Sequence, residues 1–236
     1  MEKMKSLANP AAVTGMARFG IRAKAVYGLS TPQLKKLARE AGKNHALAKR
    51  LWTTGVHDAR ALAALVDDPF QVSEEQMERW VRDFDNWAVC DGACIHLFRW
   101  TPFARRKCVE WSSRREEFVK RAGFSLMAGL AVSDKGAPDK VFLRFLPIIK
   151  KEAADGRNFV KKAVNWALRQ IGKRNRRLNR AALRTAQDIH NLDSPSARWI
   201  ASDALRELRS PAVETRLKDK GRRFDVAPAF RPAIAE

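Results

Sequence analysis

Apolar positions recur three and four residues apart along almost the whole chain, and no stretch alternates apolar with polar residues as a half-buried strand would. The pattern predicts an all-α protein. Start and stop signals divide it into many short helices rather than a few long ones. Ser30-Thr31-Pro32 places a capping hydroxyl ahead of a proline in a first turn, and Gly42 supplies a stop. Ser73 with Gln76, and Ser113 with Glu116, have the spacing of a capping box. Further helices are predicted over 44–53, 57–67, 74–84, 86–99, 102–111, 116–132, 138–154, 158–173, 177–190 and 195–208. Breaks fall at Gly55, Pro69, Pro102, 136–138, Gly156 and 193–195.

The helices also repeat. Phe118-Val119-Lys120-Arg121-Ala122 returns as Phe159-Val160-Lys161-Lys162-Ala163, an offset of about 40 residues, and Ala167-Leu168-Arg169 returns as Ala204-Leu205-Arg206. Two helices per unit of this length is the signature of HEAT-like repeats, in which each pair buries its apolar face against its neighbours. Short matches among Ala- and Arg-rich helices also arise by coincidence, but the density of short helices favours a solenoid. We read 1–220 as a single solenoid domain and 221–236, which contains Arg222 and Arg223 and lacks helical periodicity, as a basic tail.

Composition narrows the partner. The 236 residues include 46 Lys plus Arg against 26 Asp plus Glu, a formal net charge of +20, which calls for a polyanion. At 45% apolar residues the chain also builds a core, so it is not a disordered basic tail. Between 157 and 223, 18 Lys plus Arg face 6 Asp plus Glu, so the C-terminal half is expected to form most of a basic concave face. Lys173, Arg174, Arg176 and Arg177 cluster at a helix end, where they suit phosphates and the helix dipole. No apolar stretch approaches the roughly 18 residues that span a bilayer. The N-terminus lacks the apolar core of a secretory signal, and three cysteines fit no disulfide framework. The expected setting is cytoplasmic and nucleoid-associated, without a membrane partner.

One helix combines features that ask for an explanation. Trp87 and Asp91 are four residues apart and share a helical face, yet Val89, Cys90, Ala93, Cys94, Ile95, Leu97 and Phe98 surround them with apolar groups. A carboxylate there either pairs with an arginine of a neighbouring helix or serves a reaction. Arg121 and Trp166 lie at comparable repeat positions and can project to the same concave surface, although Trp166 taken alone reads as a core residue. Cys90, Cys94 and His96 share the helix, but without a CxxC pair or a second cluster they read as buried thiols rather than a metal site, and isolated His190 reads as a cap or surface group. No phosphate-binding glycine loop, HExxH or GxSxG string occurs.

Taken in order, Met16-Ala17-Arg18-Phe19, Gly28-Leu29-Ser30-Thr31-Pro32, Trp87 with Asp91, Lys120-Arg121-Ala122, and Lys162 through Arg169 resemble the AlkD-like DNA alkylation-repair glycosylases over roughly 10–210. The resemblance implies a HEAT-like solenoid that excises cationic alkylpurines, such as 7-alkylguanine and 3-alkyladenine, from duplex DNA with neither metal nor cofactor. It implies Asp91 as the catalytic carboxylate, Trp87 and Trp166 as aromatic walls around the lesion nucleotide, and Arg121 as a backbone contact. Phe19, Lys162, Arg169 and the Lys173–Arg177 cluster complete the expected DNA-binding set of a monomeric protein. Phe19 stands where many members have tyrosine, and Asn86 where an aromatic often precedes the tryptophan. Two other readings stay open at this stage, a HEAT-like nucleic-acid binder without catalysis and a protein-binding scaffold.

Overall fold

In the computed structural model, residues 1–21 and 23–225 are described, with side chains through Lys218. Fourteen α-helices follow one another among the described residues: α1 (Glu2–Lys5), α2 (Pro10–Arg18), α3 (Thr31–Ala41), α4 (His45–Thr53), α5 (His57–Val66), α6 (Glu74–Arg82), α7 (Trp87–His96), α8 (Ala104–Ser112), α9 (Glu117–Ser133), α10 (Asp139–Glu152), α11 (Asn158–Gly172), α12 (Arg176–His190), α13 (Pro195–Leu208) and α14 (Pro211–Asp225). There is no strand among the described residues.

Short polar side chains set most of the helix starts. Asn9, Ser30, Asn44, Ser73, Asn86, Asn175 and Ser194 each accept a backbone N–H of the first turn, which satisfies donors that the helix itself leaves free. Ser30 completes a capping box with Gln33, and Pro32 occupies the first turn as predicted. The box predicted at Ser113 and Glu116 does not form. Ser113 ends α8 and donates its hydroxyl to the Glu110 carbonyl, while the Glu116 carboxylate takes Arg114. The predicted helix over 86–99 stops at His96 and gives way to a 3₁₀ turn over Phe98–Trp100. Periodicity also missed α1, α2 and α14, and α14 continues through Asp225, so the boundary read at 221 falls inside a helix. Residues 226–236 of the predicted tail lie outside the described ones.

The helices stack in two layers. One layer is α5, α7, α9, α11 and α13, each packed on the next, and the other includes α8, α10 and α12, which back α9, α11 and α13. Contacts recur at the repeat distance. Phe118 and Phe159, the paired residues of the sequence repeat, meet with ring centroids 5.4 Å apart across α9 and α11. Asn165 on α11 donates to Asp203 on α13 at 2.7 Å, 38 residues away. This is the nearest-neighbour packing of a HEAT-like solenoid.

The core between the layers is continuous. Phe98, Phe124 and Phe142 are fully buried, each contributing about 1.5–3 kcal/mol of hydrophobic stabilisation. Trp52 and Trp80 stack with centroids 3.9 Å apart. At Gly123 the layers approach so closely that a Cβ would lie 2.5 Å from the Ser112 backbone nitrogen, which holds α9 against α8.

Candidate functional site

Asn86 prepares the site. Its Oδ1 accepts from the amides of Ala88 and Val89, and its Nδ2 donates to Asp85 and, at 3.3 Å, to His57 Nδ1. This buried cap starts α7 so that Trp87 occupies its first position and Asp91 lies one turn on, on the same face. The residue that stands in place of an aromatic is therefore the one that orients the helix.

Asp91 faces α9. Its Oδ1 accepts from Arg121 Nε at 2.9 Å and from Ser125 Oγ at 2.7 Å, and its Oδ2 accepts from Arg121 Nη2 at 2.6 Å. Arg121 and Ser125 are themselves four apart, so one face of α9 holds the carboxylate from two directions. Arg121 is 6% exposed and spends Nη1 on the Phe159 carbonyl at 2.6 Å, which ties α9 to the start of α11. Burial works against its charge, and the adjoining Asp91 carboxylate more than offsets this, holding the guanidinium above its ordinary pKa. The ion-pair alternative for Asp91 is thus realised, and its partner Arg121, which the resemblance implies as a DNA-backbone contact, is nearly buried at the edge of the cleft.

Around this pair opens a cleft of about 580 Å³. Trp87, Asp91 and Arg121 contribute from α7 and α9, and Asn158, Phe159, Lys162 and Trp166 from the first two and a half turns of α11. Arg18, Phe19 and Gly20 close the remaining side. Trp87 Nε1 donates to the Phe19 carbonyl at 2.8 Å, which ties the end of α2 to α7. Gly20 has φ +78° and lies so near Phe159 that a Cβ would stand 2.9 Å from the ring, so only glycine lets the chain turn here. Phe19 is 73% exposed at the mouth. Asp91 keeps 19% of its side chain exposed.

Sequence reasoning brought Trp87, Asp91, Arg121, Trp166, Phe19 and Lys162 to one place, and the structure gathers all six. It does not bring the other cations there. Arg169 lies on the side of α11 that faces α13, paired with Asp203 and Glu207, and Lys173 also takes Glu207. Arg174 donates to the carbonyls of Ala131, Asp134, Lys135 and Ala137 and lies 4.1 Å from the Phe142 ring centroid, a staple between α9 and α10. Arg176 and Arg177 open α12, in the other layer. The 15 residues of α11 span roughly 22 Å at 1.5 Å per residue, so the cluster lies at the opposite end from Asn158.

Arg18, Gly20, Ser125, Asn158 and Phe159 were not singled out. For Ser125 and Asn158 the signal was the four-residue spacing from Arg121 and Lys162, and for Phe159 its repeat partner Phe118. Cys90 and Cys94 are buried and donate to the Phe118 and Ala122 carbonyls, and burial pushes both thiols up from their ordinary range. No group of three or more His, Cys, Asp or Glu side chains able to hold a metal occurs among the described residues. No helix there is long and apolar enough to cross a membrane.

Comparison with known proteins adds the family. A family model described as DNA alkylation repair enzyme matches residues 1–208. A solved structure described as "a new family of proteins related to the HEAT-like repeat DNA glycosylases with affinity for branched DNA structures" is similar to this chain at a TM-score of 0.74 and 19% identity, covering 92% of this chain and 94% of that one. At that identity the likeness is one of fold. An engineered protein (TM-score 0.36, 16% identity, 75% and 90% coverage) and a designed armadillo repeat protein in complex with a (KR)4 peptide (0.32, 14%, 80% and 80%) superpose far less closely. No curated protein matches the chain.

Proposed function

Because the chain belongs to the DNA alkylation repair enzyme family, we propose that it is a glycosylase that hydrolyses the N-glycosidic bond of cationic alkylated purines in duplex DNA. The observation that carries this reading is the Asp91 carboxylate, held by Arg121 and Ser125 and open to a cleft walled by Trp87 and Trp166.

An N7- or N3-alkylated purine already bears positive charge. When its bond to C1′ breaks, the electron pair neutralises the ring, so departure needs no general acid. The site has to stabilise the positive charge that grows on the sugar and to supply water to C1′. Asp91 does the first electrostatically and orients the water, whose proton passes to the carboxylate or to solvent as the new C–O bond forms. Arg121 and Ser125 hold the carboxylate still, so it need not reorganise as charge develops. Trp87 and Trp166 present π faces to a cationic base or sugar, worth about 0.5–2 kcal/mol each. Lys162 and Arg18 at the rim suit the flanking phosphates, and exposed Phe19 stacks on a base or sugar.

This chemistry depends on the charge of the leaving base. Duplexes carrying 7-methylguanine are expected to release free base, whereas duplexes carrying neutral hypoxanthine are expected to release none above the uncatalysed rate. Equal release of the two would contradict the electrostatic reading. A second reading, a DNA binder without catalysis, draws on the completeness of the Asp91–Arg121 pair, which also suits a purely structural role.

A further inference from the structure

The outer layer carries a second concentration of positive charge, facing away from the cleft. On α12 the buried stripe of Leu178, Ala182 and Ile189 lies against α11 and α13, and at 100° per residue Arg177, Arg180 and Arg184 fall on the opposite, exposed side. α10 has the same division. Phe142, Leu146 and Ile149 are buried, and Lys140, Arg144 and Lys151 are exposed on the far face. The two helices run parallel and in register, with Asn175 donating to Asp139 at 2.7 Å near their starts and Lys150 to Asp188 at 3.0 Å near their ends. Six cations therefore share one face.

Among the described residues none of the six takes part in an ion pair. α8, the preceding helix of this layer, shows the contrast. Its Arg105 pairs with Asp134, its Arg106 with Glu74, and its Lys107 with Glu74, Glu78 and Glu110. Charge is neutralised on α8 and left open on the outer face of α10 and α12, where like charges four residues apart (Lys140 with Arg144, Arg180 with Arg184) repel along each helix. A polyanion relieves that repulsion, and arginine suits phosphate through its planar fork of donors.

We infer that the α10–α12 face binds the phosphate backbone of a second duplex segment, distinct from the one in the cleft. The choice of DNA as the polyanion rests on the proposed function, while the open charge of the face does not. A straight duplex seated at α7, α9 and α11 lies on the other side of the solenoid from these cations, so a molecule using both faces joins two duplexes.

The test mixes the protein with two undamaged duplexes of roughly 20 base pairs, one carrying a donor and the other an acceptor fluorophore, at low salt. Energy transfer is expected with the unaltered protein and its loss with R144A/R180A/R184A, whose exposed alanines favour helix and whose folding is checked by circular dichroism. In the triple variant, single-duplex binding and base release are expected to persist, and the log–log salt slope of the remaining complex is expected to be lower by up to about 2.7, at about 0.9 per phosphate contact. Duplex binding without transfer would overturn the proposal. So would transfer that survives the triple substitution, which would place bridging in self-association, and so would loss of base release along with transfer, which would put these arginines on the duplex in the cleft. Binding to phosphatidylserine vesicles without transfer would assign the face to membranes instead. Transfer intact in an unaltered protein that releases no base would refute the glycosylase reading and leave this surface standing.

Discussion

At the residue scale, one carboxylate serves two masters, the fold and the proposed reaction. Asp91 is both a partner in a nearly buried ion pair and the anion facing the cleft. Removing Arg121 leaves it without its two guanidinium bonds, so Arg121→Leu is expected to lower unfolding free energy by about 3–5 kcal/mol in a denaturant titration. Replacing both residues, as Asp91→Leu with Arg121→Leu, is expected to restore much of that stability and none of the activity. If Arg121→Leu proved as stable as the parent, Arg121 would not be what holds the carboxylate. The sequence left two roles open for Asp91; the structure shows the ion pair, with Arg121 approaching from α9 and part of the Asp91 side chain left toward solvent. Which arginine would arrive was not legible, since a contact 30 residues apart depends on the relative phase of two helices.

At the element scale, α7 is the piece on which the site depends, and a buried histidine at its start is expected to make it pH-sensitive. His57 accepts from Asn86 Nδ2 through Nδ1, which requires a neutral ring, and burial lowers its pKa against the weaker opposing pull of Asp58 and Asp85. A histidine lowered in the fold takes up its proton first in the unfolded chain. Stability therefore falls as pH drops below the unfolded value of about 6.5, toward the lower folded value. His57→Gln keeps an acceptor for Asn86 and removes the titration, so thermal melts between about pH 5 and 7.5 are expected to show a shallower decline than the parent. An unchanged decline would exclude His57 as the cause. Most helices were legible because polar caps and three-four spacing are local signals. Ser113 with Glu116 misled because Glu110 and Arg114 compete for the same groups, and Arg174 misled because its carbonyl partners on the α9–α10 corner are 37–43 residues away.

At the scale of the whole molecule, net charge was legible and its distribution was not. Composition placed a basic face on the concave side, whereas ion pairing silences α8, Arg169 and Lys173 and leaves open cations at the cleft rim and across α10 and α12. At the rim, Lys162 is exposed, so Lys162→Ala is expected to reduce the log–log salt slope of duplex binding by about 0.9, with little effect on stability. An unchanged slope would move the phosphate contact elsewhere. The HEAT-like stack explains why so few residues can make a site. Three successive inner helices each present residues four apart, and their side-by-side packing brings these short columns together.

The most direct test compares the unaltered protein with Asp91→Asn on methylated duplex DNA, measuring free 7-methylguanine by chromatography and DNA affinity in parallel. Asparagine still accepts from Arg121 but carries no charge. Release by the parent that EDTA leaves intact, with release reduced at least about a hundredfold in the variant at nearly unchanged affinity, is the expected result. Equal release by both proteins, or tight binding with no release by either, would contradict the assignment of Asp91 as the catalytic carboxylate.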